Sequence, residues 1–295
     1  MNEKILLIGN DINNATESYS WNDLINGLLQ YAEIDNKVNI ENKPFPLLYE
    51  EIYLKSHEIH NTSESRLKKY IASQTRKLNP NLLHSLILDL KIENILTTNY
   101  DLLFEKASNL STKKWVNKGF IKENLYSLFR FHKTQYNNIW HIHGSETNTR
   151  SITLGYEHYS GYLQQMRNYI ANGTKGTYKK KDFESLSRRI KNNNVTYESW
   201  VDFFFTHDVH IFGLNLDFVE MHLWWLLTFR ARAKIENRLE INNTIYYYYP
   251  KKYEQSSKHK LDMFNALGVK TIPERLIGNN KVDYYKKIIK KIKNS

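Results

Sequence analysis

The sequence contains no cysteine. That absence excludes a disulfide scaffold, a thiolate zinc site and a cysteine nucleophile together, and it fits a reducing compartment. Long apolar runs are missing too. The richest stretch, residues 218–229, is interrupted by Glu220 and His222 and falls short of the roughly 20 residues a membrane span needs. The short run 5–8 behind Met1-Asn2-Glu3-Lys4 is too brief for a signal core. These absences predict a cytoplasmic protein with no targeting segment and no membrane partner.

What is present is ordinary for a globular chain: 41% hydrophobic and 25% charged residues over 295 positions, enough to bury a core without staples. Lysine and arginine number 42 against 31 aspartates and glutamates, a formal charge of +11. A basic balance makes nucleic acid a partner to consider. The lysines are scattered or sit on polar faces, however, as in the tail, where Val282, Tyr285, Ile288, Ile289 and Ile292 form one apolar stripe on a Lys-rich helix. Nucleic acid is therefore not the favoured partner.

Short apolar runs ended by glycine or polar residues recur along the chain. Lys4-Ile-Leu-Leu-Ile-Gly9, Ile92-Glu-Asn-Ile-Leu96, Ile139-Trp-His-Ile-His143 and Val209-His-Ile-Phe212-Gly213 read as strands buried on both faces. Residues 244–249 and 269–272 add two more. Helical spacing fills the intervals: Leu24, Ile25, Leu28 and Leu29 after a Ser20 cap; residues 47–60, with Leu47, Tyr49, Ile52 and Tyr53 as apolar positions; residues 63–77; and Val219, Leu223, Leu226 and Leu227. Alternation of this kind predicts an α/β fold: a Rossmann-like parallel sheet flanked by helices, in a single domain 1–295 with a helical insertion at 156–205.

In open parallel sheets ligands bind at the carboxyl ends of strands. Four strand ends here carry polar or glycine punctuation: Gly9-Asn10-Asp11, Thr97-Thr98-Asn99-Tyr100-Asp101, His143-Gly144-Ser145 and Gly213-Leu214-Asn215-Leu216-Asp217. Amide, carboxylate and imidazole groups gathered at one crevice can grip hydroxyls and move protons. Asn99 can donate to and accept from ribose or water. Asp101 can accept from a carboxamide, or cap the helix behind it. His143 can take a proton from water or a ribose hydroxyl. Asp217 reads first as the cap of the helix that follows. His141 and His143, two apart on a strand, face one side as metal ligands often do, but no third ligand stands at a diagnostic spacing.

The four segments in this order resemble the sirtuin family, and more closely its bacterial sirtuin-like branch of NAD-consuming, phage-defence proteins. Thr97-Thr98-Asn99-Tyr100-Asp101 is similar to the family's Thr-Gln-Asn-Ile-Asp, and His143-Gly144-Ser145 to its His-Gly-Ser. Gly9 is similar to the family's dinucleotide loop, with one glycine surviving, and Gly213 to Asp217 to its late adenosine loop. His158-Tyr159 resembles a segment recurring in sirtuin-like defence proteins. The resemblance implies His143, Asn99 and Asp101 as catalytic residues, and Gly9, Asn10, Asp11, Thr97, Thr98, Gly144, Gly213, Asn215 and Asp217 as the NAD-binding set. It implies NAD+ as substrate, with no further cofactor and no zinc, since the family's four-cysteine module is absent. The expected activity is NAD+ hydrolysis to nicotinamide and ADP-ribose in antiphage defence. Control would come from a homo-oligomer or a separate regulatory protein such as an ATPase. The alternative is a non-catalytic nucleotide- or nucleic-acid-binding subunit of a larger defence complex.

Overall fold

The computed structural model describes residues 3–16, 21–108, 116–119, 123–177 and 182–295. Its strands are β1 (Lys4–Ile8), β2 (Asn94–Thr97), β3 (Val116–Gly119), β4 (Arg130–Lys133), β5 (Asn138–His141), β6 (Asp208–Phe212), β7 (Ile245–Pro250) and β8 (Val269–Glu274). The helices are α1 (Trp21–Tyr31), α2 (Phe45–His60), α3 (Glu64–Thr75), α4 (Leu82–Leu88), α5 (Leu103–Ala107), α6 (Tyr156–Arg167), α7 (Leu186–Lys191), α8 (Trp200–Thr206), α9 (Met221–Ile235), α10 (Lys258–Ala266) and α11 (Lys281–Asn294). None of them is long and apolar enough to cross a membrane.

The strands form one sheet in the order β3-β4-β5-β2-β1-β6-β7-β8. The six strands from β5 to β8 run parallel; β3 and β4 add an antiparallel edge. The parallel six have the Rossmann order, with successive strands added outward from β1 on one side and then, from β6, on the other. The direction of winding reverses between β1 and β6. Their carboxyl ends, at Gly9 and Gly213, therefore flank the crevice where such sheets bind ligands.

Burial on both faces explains why the central strands carry apolar residues at successive positions, which alternate between two cores. Ile5, Leu7, Leu96, Trp140, Val209 and Ile211 belong to a core with Tyr162, Met166, Phe204 and Leu226 from α6, α8 and α9. Leu6, Ile8, Ile95, Ile139 and Phe212 belong to the opposite core, with Ile87, Phe104 and Ile288 from α4, α5 and α11. A third cluster joins α1, α2 and α3 to Tyr100, Ile152 and Leu154, and this layer roofs the carboxyl end of the sheet.

Several sequence expectations shift. Helix α2 begins at Phe45 and buries Leu48, Tyr49, Ile52 and Ser56, while Leu47 points outward, 51% exposed. Ser20 lies outside the described residues. The β3–β4 edge was not expected. Residues 156–206 hold α6, a π-helical turn at Asn168–Asn172, α7 and α8, all between β5 and β6.

Candidate functional site

A cavity of about 340 Å³ opens over the β1/β6 crevice. Its walls come from four loops. Asn10, Asp11 and Asn13 lie in the 3-10 turn after β1; Thr98, Asn99 and Asp101 follow β2; His143 follows β5; and Gly213, Asn215, Asp217 and Glu220 follow β6. Trp21, Phe45 and Tyr159 supply apolar surface from the roofing helices and α6.

The crevice is narrow because two backbones touch. Gly9 N–H donates to Phe212 O at 3.2 Å and Asp11 N–H to Gly213 O at 3.0 Å. A Cβ on Gly9 would collide with the Gly213 carbonyl and the Leu214 Cα. Gly213 sits at φ +67°, a left-handed conformation that glycine adopts without strain. Gly9 supports the cavity floor from beneath, and Gly213 forms part of its wall.

Asn13 is the hub of the polar floor. Its Nδ2 donates to Asp101 Oδ2 and to Asn10 Oδ1, both at 2.8 Å. Its Oδ1 lies 3.1 Å from His84 Nε2. Burial pushes His84 down to about 4, so the ring is neutral near pH 7; its Nε2–H donates to Asn13, and its Nδ1 accepts from the Asn81 backbone N–H at 3.1 Å. The other Asp101 oxygen accepts from Leu103 N–H at 3.1 Å. Asp101 thus accepts from the first N–H of α5, whose N-cap is Leu102, and anchors Asn13. Burial raises its pKa.

Asn99 is differently placed. Its backbone N–H donates to Thr97 Oγ1 at 3.1 Å and its carbonyl lies 2.9 Å from His141 Nδ1. The residue is 7% exposed and lines the cavity, and its side-chain amide has no hydrogen-bond partner among the described residues.

His143 and His141 enter different clusters, which corrects the expectation that they share one face. Strand β5 ends at His141, so period-two geometry does not extend to His143. His143 Nε2 lies 3.1 Å from His222 Nε2 and 3.2 Å from Glu220 Oε2. The carboxylate is close without the alignment of a hydrogen bond. Tyr159 meets the His143 ring edge-on at 5.7 Å, and His222 stacks on Tyr162 at 5.0 Å. Burial holds His222 well below the ordinary histidine range. His141 Nε2 instead lies 2.8 Å from Glu105 Oε1, as does His132 Nδ1 at 2.5 Å. Burial opposes charge on Glu105, but His141 and His132 outweigh it and bring the carboxyl down to about 2.

Two trios therefore bring metal-compatible donors within 4.8 Å of one another: His143, Glu220 and His222; and Glu105, His132 and His141. The sequence pointed to one member of each trio, His141 and His143, and to neither of its two partners. Two histidines and a glutamate form a donor set that hydrolytic zinc sites use. Metal-bound imidazoles almost always donate their other N–H to a fixed acceptor; the buried His222 Nδ1 has none among the described residues. In the second trio the Glu105 carboxylate, held between His141 and His132, already accounts for the contacts.

The remaining predicted residues divide. Asn10, Asp11, Thr98, Asn215 and Asp217 line the cavity, whereas Thr97 and Gly144 do not. Gly144, at φ +86°, turns the chain against the Ser151 backbone. The Asp11 carboxylate is held by Lys281 Nζ at 2.6 Å and Tyr285 OH at 2.5 Å from α11. Asp217 does not cap α9, whose N-cap is Glu220; Lys260 Nζ ties it and Asn215 together, 3.4 Å from Asp217 Oδ1 and 2.8 Å from Asn215 Oδ1. His158 Nδ1 accepts from Gly155 N–H at 2.9 Å and caps α6, leaving Tyr159 to face the cavity.

Residues 93–192 match the family model of the SIR2-like domain. That stretch carries Asn99, Asp101 and His143, while the β1 and β6 loops lie outside it. No curated protein matches the chain. The match supports a sirtuin-like kinship and an NAD-related function.

Proposed function

We propose that this protein is a sirtuin-like NAD+ glycohydrolase that releases nicotinamide and ADP-ribose, using NAD+ as substrate and no further cofactor. The observation that carries the reading is the unpartnered Asn99 amide facing the same cavity as His143, over the winding reversal of a Rossmann-ordered sheet. Open to the cavity, the amide offers a donor and an acceptor that a ligand hydroxyl can engage.

In this reading the adenosine half of NAD+ rests against Asn10, Asp11, Asn215 and Asp217, and the nicotinamide ribose lies between Asn99 and His143. The C1′–N bond breaks with its electron pair leaving on neutral nicotinamide. Asn99 orients the ribose hydroxyls or the attacking water. Water adds to C1′ and gives its proton to His143, which returns it to solvent. Asp101 serves by holding Asn13 and the start of α5. The resemblance to defence effectors supports the biological half of the proposal: cytoplasmic NAD+ depletion halting phage replication, controlled by self-assembly or by a separate regulatory protein such as an ATPase.

Hydrolysis in H₂¹⁸O tests the chemistry. The expected products are nicotinamide and ADP-ribose labelled at the anomeric hydroxyl; NAD+ left intact, by the protein alone and with its operon neighbours, would reject the reading. The nearness of Glu220 and His222 to His143 favours one rival, a metal-assisted hydrolase. Our reading expects turnover to survive a chelator; loss in EDTA with recovery on added zinc would select the rival.

A further inference from the structure

We infer that His222 and Glu220 hold the Nε2–H of His143 from behind, so that Nδ1 is the nitrogen that accepts the proton on the cavity side. The inference rests on the reading of His143 as the base and adds two positioning residues to it. A nitrogen–nitrogen contact of 3.1 Å accommodates one proton between the rings: one must donate and the other accept. The carboxylate decides which. Glu220 Oε2 lies 3.2 Å from His143 Nε2, and a carboxylate is an acceptor, attracted to an N–H and repelled by a nitrogen lone pair. The proton therefore sits on His143 Nε2, directed at His222 Nε2 and beside Glu220, and the neutral His222 carries its own proton on the buried Nδ1, which has no acceptor among the described residues.

His143 Nδ1 has no partner among the described residues, and the ring lines the cavity while His222 lies behind it, fully buried. When Nδ1 takes a proton, Glu220 faces the resulting imidazolium and stabilises it. This is the logic by which an acidic group fixes the tautomer of a catalytic histidine and steadies its charged form. His222 cannot swing away, because Tyr162 stacks on it at 5.0 Å and Tyr159 packs beside it at 5.5 Å. Glu220 is steadied by Tyr159, whose hydroxyl lies 3.5 Å from Oε1.

The test has two arms. Nitrogen-15 NMR of histidine-labelled full-length protein near neutral pH should find His143 as the Nε2–H tautomer, and a mixture of tautomers in Glu220→Gln, which removes the charge that decides between them. A wild-type Nδ1–H tautomer would overturn the inference whether or not the protein cleaves NAD+. In turnover, His222→Phe and Glu220→Gln should lower kcat by roughly two to four decades, the scale of a mis-set histidine tautomer, with KM for NAD+ little changed. Full kcat in either folded variant would overturn it. If His222→Phe fails to fold, His222→Leu, which also offers no acceptor, replaces it in the turnover arm. An inactive wild type carrying the Nε2–H tautomer would reject the hydrolase while leaving the arrangement of His143 intact.

Discussion

Asn99 and Asp101 stand two residues apart on one loop and do different work. Asp101 spends both carboxylate oxygens on Asn13 and Leu103, so Asp101→Ala should lower stability and activity together. Asn99 spends nothing on the fold with its side chain. Asn99→Ala should leave the melting temperature nearly unchanged and NAD+ affinity within a few-fold, while slowing single-turnover cleavage by two to three decades, about 3–4 kcal/mol for one oriented polar group. Calorimetry, binding and rapid-quench rates on one preparation check this. Glu105 is the contrasting residue, buried and paired with no place on the cavity wall. Its lowered carboxyl pKa contributes stability that is present above about 4.5 and lost as pH falls toward 2. The raised pKa of His141, which the Glu105 charge produces against burial, contributes stability present below its unfolded value and lost as pH rises through the folded one. Glu105→Gln should therefore cost about 3–5 kcal/mol near neutral pH and flatten both limbs of the melting temperature against pH.

At the scale of elements, the contact between the β1 and β6 loops sets the width of the crevice. Gly9→Ala places a methyl against backbone that cannot yield; thermal melts should show a loss of several kcal/mol or a protein that does not fold. Gly213→Ala should cost about 1 kcal/mol through its positive φ and perturb NAD+ affinity more than the chemical step. The central strands were legible because burial on both faces leaves a continuous apolar run. The β3–β4 edge was not: Val116–Gly119 is exposed throughout, and Arg130–Lys133 carries charges at both ends. Helix α9 was legible as an element, but its start was not. Residues 217–220 looked helical by apolar spacing, yet they form a turn that aims Glu220 and His222 at His143.

For the whole molecule, strand order turns local signals into a site. The four punctuated strand ends were readable one by one, and the parallel fold follows from their alternation with helices. That they meet depends on β6 returning beside β1, which brings Glu220 and His222 to a histidine about 80 residues earlier in the chain. Asn13, His84 and Lys260 were hidden for the same reason: each acts through partners remote in sequence. The account's central claim is that this cavity cleaves NAD+ with Asn99 and His143 as the acting groups. The most direct measurement is nicotinamide release from NAD+ by wild-type protein, Asn99→Ala and His143→Ala at matched folded concentration. The account predicts turnover by the wild type, a loss of two to three decades in Asn99→Ala and none detectable in His143→Ala. Near-wild-type release by either folded variant would contradict it.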